Sequence, residues 1–301
     1  MLALVIIESD CHIPRKCGTR NERSVLNRLL ETHWRFAKLI TMNDLKISII
    51  QSNLHWENKE KNLEMFSQKI ASISEASDLI ILPEMFTTGF SMRPELFAET
   101  MAGNTITWMK AKAKERNCVI TGSFICEEEG KYFNRLVWMN AGGTYSVYDK
   151  RHLFRMGDED KHYGHGEKKI IVELKGWRIC PLICYDLRFP VWARNTKENL
   201  YDVLIYTANW PERRAQPWKS LLIARAIENQ SYTIGVNRVG TDGNDIYHSG
   251  DSIVLNFKGE AISKIEAGKE SIETFTLNYK DVEEFRKQFP VMLDADDFEI
   301  Q

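Results

Sequence analysis

The chain has 301 residues, 43% of them hydrophobic and 27% charged, with a formal net charge of −2 and a sequence pI near 6.4. That balance argues against a broad basic surface for a nucleic-acid backbone or an anionic membrane, and no apolar run reaches the roughly 18–20 residues that a membrane helix needs. The expectation is a soluble, cytoplasmic protein with enough apolar content for one large core.

The opening residues from Met1 to Ile7 are apolar but lack a basic lead and a small-residue cleavage site, which speaks against export. Residues 11–28 mix Pro, Gly, Cys and basic side chains without a hydrophobic period. Residues 1–43 therefore read as an N-terminal extension and 44–301 as the folded domain. Translation from Met42 is an alternative to Met1, and the intact mass of natively expressed protein decides between them. Cys11, Cys17, Cys118, Cys126, Cys180 and Cys184 form neither a C-x-x-C pair nor a regular framework, so neither a zinc site nor a disulfide scaffold is expected.

From Leu45 the text becomes regular. Residues 45–51 read as a strand, and Leu63, Phe66, Ile70 and Ile73 recur at the spacing of a helix with one buried face. Residues 78–82 form a compact apolar strand that stops at Pro83-Glu84. A helix is expected over 105–116, then strands over 119–126 and 133–140 about a polar turn at 127–131, then a strand over 145–149 that stops at Lys150. The loop 151–168 is long enough to suggest function. Strands follow at 170–174 and 178–184, the second ending in Cys184-Tyr185-Asp186. Pro190 suits the first turn of a helix. A strand at 203–208 ends at Asn209-Trp210-Pro211. Leu221, Ile223, Ala224 and Ile227 support a helix, and strands at 232–236, 252–256 and 261–265 complete an α/β pattern without internal repeats.

Three of these strands end in a reactive side chain: Glu84, Lys150 and Cys184. Strand ends are where α/β sheets assemble sites. A thiol is mostly protonated at neutral pH, so it needs a base to become a nucleophile and a cation or donor to hold the oxyanion that its attack creates. Glutamate and lysine supply both. Taken singly, each has an ordinary reading: a buried Cys packs as a small hydrophobe, and a lone Glu or Lys is solvated.

Leu82-Pro83-Glu84-Met85-Phe86, Tyr148-Asp149-Lys150-Arg151-His152-Leu153-Phe154 and Cys184-Tyr185-Asp186-Leu187-Arg188-Phe189-Pro190 resemble, in this order, the three catalytic segments of the carbon–nitrogen hydrolases of the nitrilase superfamily. The likeness spans residues 45–265. Met85-Phe86, His152-Leu153-Phe154, Arg188 and Ala208-Asn209-Trp210-Pro211 resemble its omega-amidase branch. The resemblance implies a four-layer α-β-β-α sandwich, assembled as a homodimer or larger oligomer through the layer that carries the nucleophile. It implies a small-molecule amide substrate, a 2-oxo dicarboxylic acid monoamide, and a thioester on Cys184, with no cofactor or metal. Glu84 would act as base and acid, and Lys150 with the N–H of Tyr185 would hold the oxyanion. Glu159, in Gly157-Asp158-Glu159-Asp160, matches the family's second glutamate by position; the alternative is a solvated acid on a loop.

Arg188 presents a planar fork that matches a carboxylate bidentately, either the substrate's or, in an internal salt bridge, that of Asp186 or another acid. Phe90, Trp210 and Trp218 are either walls of a small pocket or core. His152, His162 and His165 have no Cys or carboxylate at ligand spacing and read as surface or structural residues rather than metal ligands. Other readings of the chain are deaminated-glutathione hydrolysis, carbamoyl-amine hydrolysis, or a non-catalytic binding protein on the same fold.

Overall fold

The computed structural model describes residues 44–300; the expected extension 1–43 and the Met42 start lie outside the described residues. Strand β1, Leu45–Gln51, buries Ile47 and Ile49 on one face and Ser48 and Ile50 on the other, as a strand covered on both sides must. Helix α1, Lys59–Ala71, starts where the Asn58 side chain accepts from the Lys61 amide, a capping bond for one of the donors left free at a helix start. Strand β2, Leu79–Ile81, runs parallel to β1. The short α2, Pro94–Phe97, and α3, Asn104–Arg116, lead into β3, Val119–Glu128, parallel to β2.

Strands β3 and β4, Lys131–Met139, form a longer hairpin than the apolar pattern suggests, paired out to Glu128 and Lys131. The turn is Glu129-Gly130, both at positive φ, the geometry that matches the twist of a two-residue hairpin. Strand β5, Tyr145–Asp149, closes this half. The long loop that follows holds a one-turn helix, α4, Glu159–His162.

The second half contains β6, Val172–Leu174, β7, Trp177–Ile183, α5, Pro190–Ala193, β8, Val203–Ala208, α6, Ala215–Asn229, and β9, Tyr232–Asn237. After a small hairpin of β10, Val239–Thr241, and β11, Tyr247–Ser249, comes β12, Ile253–Leu255. The expected strand at 261–265 is reduced to a bridge between Leu255 and Ala261. The strand that sequence reading missed is β13, Ser271–Leu277, antiparallel to β1 along its whole length and followed by α7, Tyr279–Gln288.

The strands make a six-stranded sheet, β13-β1-β2-β3-β4-β5, and a five-stranded sheet, β12-β9-β8-β7-β6. Helices α1 and α3 cover the first, where Phe66 and Met109 pack with Ile80 and Ile120. Helix α6 covers the second, where Trp218 and Leu222 pack with Leu182 and Leu204. The sheets meet through β1 against β9 and β4 against β7, giving the expected α-β-β-α layers.

Helix α6 was expected from Leu221, Ile223, Ala224 and Ile227, but its inner face is Trp218, Leu222, Arg225, Ala226 and Asn229, while Ile223 and Ile227 are 36% and 52% exposed. The element is where the pattern places it and the face is not. Arg225 reaches the Leu187 carbonyl and Glu228 through its two terminal nitrogens, leaving Nε without a partner, and the Asn229 side chain accepts from the Asn195 amide, so most of these polar atoms enter the interior partnered. The helix lies so close to β9 that a Cβ on Gly235 would stand 2.6 Å from both Trp218 and Leu222. Among the described residues no helix is long and apolar enough to cross a membrane, and Cys118, Cys126, Cys180 and Cys184 are free thiols.

Candidate active site

Each reactive residue sits just past a strand end, on backbone that neighbouring strands pin. Beyond β2, Met85 adopts φ +42 and its amide donates to the Ser123 hydroxyl at 2.8 Å, which fixes the turn that carries Glu84. Past β5, the Lys150 amide donates to the Asn134 carbonyl of β4 at 3.0 Å. After β7, Cys184 adopts φ +44 and begins a 3₁₀ turn, Cys184–Arg188. The first N–H groups of such a turn have no partner within it, and Tyr185 supplies one of them.

The four expected reactive side chains converge. Lys150 Nζ lies 2.8 Å from Glu84 Oε1 and 3.0 and 2.9 Å from the two oxygens of Glu159, with all three side chains fully buried. Cys184 faces the same cluster, where burial and then the Glu84 charge raise its thiol pKa and the Lys150 charge lowers it, and it opens with Lys150 onto one cavity. Glu159 is thus no solvated acid: its neighbours Asp158 and Asp160 pair with Lys161 and Arg155 on the surface, while Glu159 also accepts from the Phe154 amide at 2.6 Å.

Two residues that sequence reading did not single out complete the cluster. Asn134 Nδ2 donates to Glu84 Oε1 at 2.8 Å and to Glu159 Oε1 at 3.2 Å. Asn209 gives its backbone N–H to Glu84 Oε2 at 2.7 Å and its side-chain amide to the Glu84 carbonyl at 2.6 Å. Glu84 therefore has both oxygens and its main chain fixed.

The charges fix the protonation pattern. Burial opposes a charge on Lys150, but Glu159 and then Glu84 outweigh it and hold the ammonium above its ordinary range. Burial raises the Glu159 carboxyl, Lys150 pulls it back and the Glu84 charge raises it again, for a net upward shift. Burial and then the Glu84 carboxylate push the Cys184 thiol well up, so the sulfur keeps its proton in the free protein. A thiol held in this state becomes a nucleophile only together with transfer of its proton to a base.

Behind the nucleophile, the buried Asp186 accepts from Tyr148 Oη at 2.7 Å, from the Ile183 amide at 3.1 Å and from the His152 amide at 3.0 Å, with His152 Nδ1 2.8 Å away. His152 also stacks on Phe189 at 3.7 Å, and His162 and His165 are exposed. Asp186 is occupied, and Arg188 does not pair with it.

A cavity of about 140 Å³ opens onto Cys184 and Lys150. Phe90, Tyr185, Arg188 and Trp210 line it as expected, joined by Phe154 and Arg214. Trp218 does not: it is core, with its indole N–H on the Asp251 carbonyl. Phe90 lies 5.1 Å from Lys150 Nζ, and Trp210 lies under the Arg188 guanidinium at 5.0 Å.

A thiol, a buried carboxylate and a buried ammonium paired with that carboxylate, at the strand ends of a stacked two-sheet sandwich, are groups that together can carry out acyl transfer. The carbon–nitrogen hydrolase family model matches residues 46–287. The chain is 46% identical to the omega-amidase YafV of Escherichia coli K12, covering 86% of this chain and all of the relative. It is 30% identical to the 2-oxoglutaramate amidase of Bacillus subtilis, covering 82% and 96%. Among solved structures, XC1258 of Xanthomonas campestris, a CN-hydrolase superfamily protein with an arsenic adduct in its active site, superposes with a TM-score of 0.84 at 42% identity, covering 86% of this chain and all of that one. The chain belongs to the carbon–nitrogen hydrolase family. Within it, this is an amidase-type hydrolase on the nitrilase-superfamily fold.

Proposed function

We propose that the enzyme is an omega-amidase, which hydrolyses the terminal amide of 2-oxoglutaramate or 2-oxosuccinamate to the dicarboxylic acid and ammonia through a thioester on Cys184. The observation that carries this reading is Cys184 opening, together with the Lys150 ammonium that Glu84 pairs at 2.8 Å, onto one small pocket walled by Arg188. The names of the omega-amidase and 2-oxoglutaramate amidase relatives support it. The cavity is smaller than the roughly 300–1,000 Å³ of sites for drug-sized ligands, which favours a short acid amide over a tripeptide-sized one.

In this mechanism Glu84 takes the thiol proton as the sulfur attacks the amide carbon. The carbonyl oxygen becomes an oxyanion held by Lys150 Nζ and the Tyr185 N–H. The C–N bond breaks as Glu84 returns the proton to the leaving nitrogen, ammonia departs and the thioester remains. Water then gives a proton to Glu84 and adds to the thioester. The second tetrahedral intermediate expels the sulfur, which recovers its proton from Glu84, and the carboxylic acid leaves. Glu159 grips Lys150 with both oxygens and keeps the ammonium aimed. Arg188 receives the distal carboxylate.

The same reading includes a homodimer or larger assembly built through the nucleophile layer, where Val191 of α5 and Ile223 and Ile227 of α6 are exposed. Ammonia release from 2-oxoglutaramate, 2-oxosuccinamate, deaminated glutathione and a carbamoyl amine tests the substrate. A clear preference for the first pair, with an acyl-enzyme mass on Cys184 in quenched samples, is expected. Preference for either of the others, or activity retained in Cys184→Ala, overturns the reading.

A further inference from the structure

The pocket wall holds more positive charge than one carboxylate requires. Arg188, Arg213 and Arg214 all line it. Arg213 is exposed, but the other two lie over aromatic walls, Arg188 5.0 Å from the Trp210 ring centroid and Arg214 5.1 Å from that of Phe154. A cation–π contact places a guanidinium over a ring without using its N–H donors in hydrogen bonds to it. Among the described residues neither guanidinium has a hydrogen-bond or ion-pair partner, whereas Arg135 and Arg286 each sit 2.7 Å from an aspartate.

The surroundings leave this charge uncompensated. Asp242 also lines the pocket, but its Oδ1 accepts from the Asn244 and Ile246 amides and ties it to its own turn. Burial, then Arg213, and further on Arg188 make Arg214 a weaker base than a free arginine, despite the opposing pull of Cys184. Two unpaired and mutually repelling cations in one small cavity are relieved by an anion with acceptor atoms for both.

We infer that Arg214 is a specificity residue that works with Arg188: the two guanidiniums share the carboxylate and the 2-oxo oxygen of the substrate, and their joint charge turns away the 2-ammonium group of the matching amino-acid amide. This rests on the omega-amidase reading and adds to it a second residue and a rejected substrate. 2-Oxoglutaramate and glutamine carry the same terminal amide on the same carbon chain, so an enzyme for the first must read position 2. A 2-oxo group offers Arg214 an acceptor. An ammonium offers only donors and a like charge, which a cationic wall disfavours.

The test uses the full-length enzyme, with Arg214→Gln and Arg214→Glu variants checked for unchanged melting temperature. The substrates are 2-oxoglutaramate, glutamine and butyramide. Calorimetry of 2-oxoglutarate and glutamate binding gives a second readout that is independent of turnover. Arg214→Gln is expected to lose on the order of 10- to 100-fold in kcat/KM for 2-oxoglutaramate, mostly through KM, and to weaken 2-oxoglutarate binding similarly, as the loss of hydrogen bonds to a charged group would. The loss should exceed that for butyramide by at least about tenfold. Arg214→Glu should raise the ratio of glutamine to 2-oxoglutaramate turnover above that of the parent enzyme.

Unchanged 2-oxoglutarate binding in Arg214→Gln, or equal losses on butyramide and 2-oxoglutaramate, overturns the inference. A parent enzyme that turns over butyramide as well as 2-oxoglutaramate overturns the omega-amidase reading instead. In that case the calorimetric comparison still decides the role of Arg214.

Discussion

Asn134 brings one amide nitrogen to within 2.8 Å of Glu84 and so joins a residue in the middle of β4 to a carboxylate beyond the end of β2. The same nitrogen reaches Glu159 at 3.2 Å, so Asn134 holds the two acids in fixed relation about Lys150. Replacing Asn134 by Leu removes a donor from two carboxylates in a dry cluster, a loss of roughly 1.5–3 kcal/mol for a hydrogen bond to a charged group. A fall in kcat on the order of 10- to 100-fold is expected. An unchanged kcat in steady-state assays would remove Asn134 from the account.

A single variant separates the proposed catalytic role of Glu159 from its place in the buried pair with Lys150. In Glu159→Gln the buried ammonium of Lys150 keeps Glu84 as its sole carboxylate partner, and breaking one side of a buried pair costs about 3–5 kcal/mol. The melting temperature should fall. Losing one contact that aims an oxyanion-holding group should lower kcat by at least about 100-fold. A loss of only a few-fold, measured well below the new melting temperature, would make Glu159 a structural residue only.

The thiol makes a pH prediction with a definite sign. The Glu84 carboxylate is the second cause, after burial, of the upward shift of Cys184. Removing a negative neighbour favours the thiolate. The alkaline rise in Cys184 alkylation by iodoacetamide should therefore begin at lower pH in Glu84→Gln than in the parent, even though hydrolysis is lost. The expected order is tested by mass spectrometry of the Cys184 peptide across pH, and a rise at higher pH in the variant contradicts it.

The depth to which the site could be read from sequence followed local pattern. Glu84, Lys150 and Cys184 were legible because each interrupts an apolar strand at its end, and Glu159 because of its place in the loop after the lysine. Asn134 was not, since in Tyr132-Phe133-Asn134-Arg135-Leu136 it looks like any polar residue of a hairpin strand, and only the sheet order takes it to the acids. Arg214 follows Glu212-Arg213 in a run that reads as solvated charge, until Phe154 from the distant lysine loop is found beneath it. The inner face of α6 escaped notice because Arg225 and Asn229 point inward on partners that the sequence does not display. Strand β13 escaped because Ser271, Glu273 and Thr276 dilute its apolar alternation.

His248 lines the same cavity, and burial, followed by the Arg238 cation, lowers its pKa to about 4 in spite of Asp242. Below the usual histidine value of about 6.5, the unfolded chain binds a proton that the folded one refuses. Its contribution to stability is therefore complete above that value and is lost as pH falls toward 4. His248→Gln has no such proton to take up. Urea unfolding at pH 7 and pH 4.5 should show a larger acid-side loss for the parent than for the variant, and equal losses would contradict the role given to His248.

The left-handed backbone at Cys184 sets catalysis against durability. An L-residue in that region stores on the order of 1–3 kcal/mol, a strain that glycine escapes. Cys184→Gly should consequently melt above Cys184→Ala, and under the proposed mechanism neither should turn over substrate. On the proposed mechanism the backbone at this position thus favours glycine for stability while the chemistry requires cysteine, so the strained thiol is kept at the expense of a higher melting temperature.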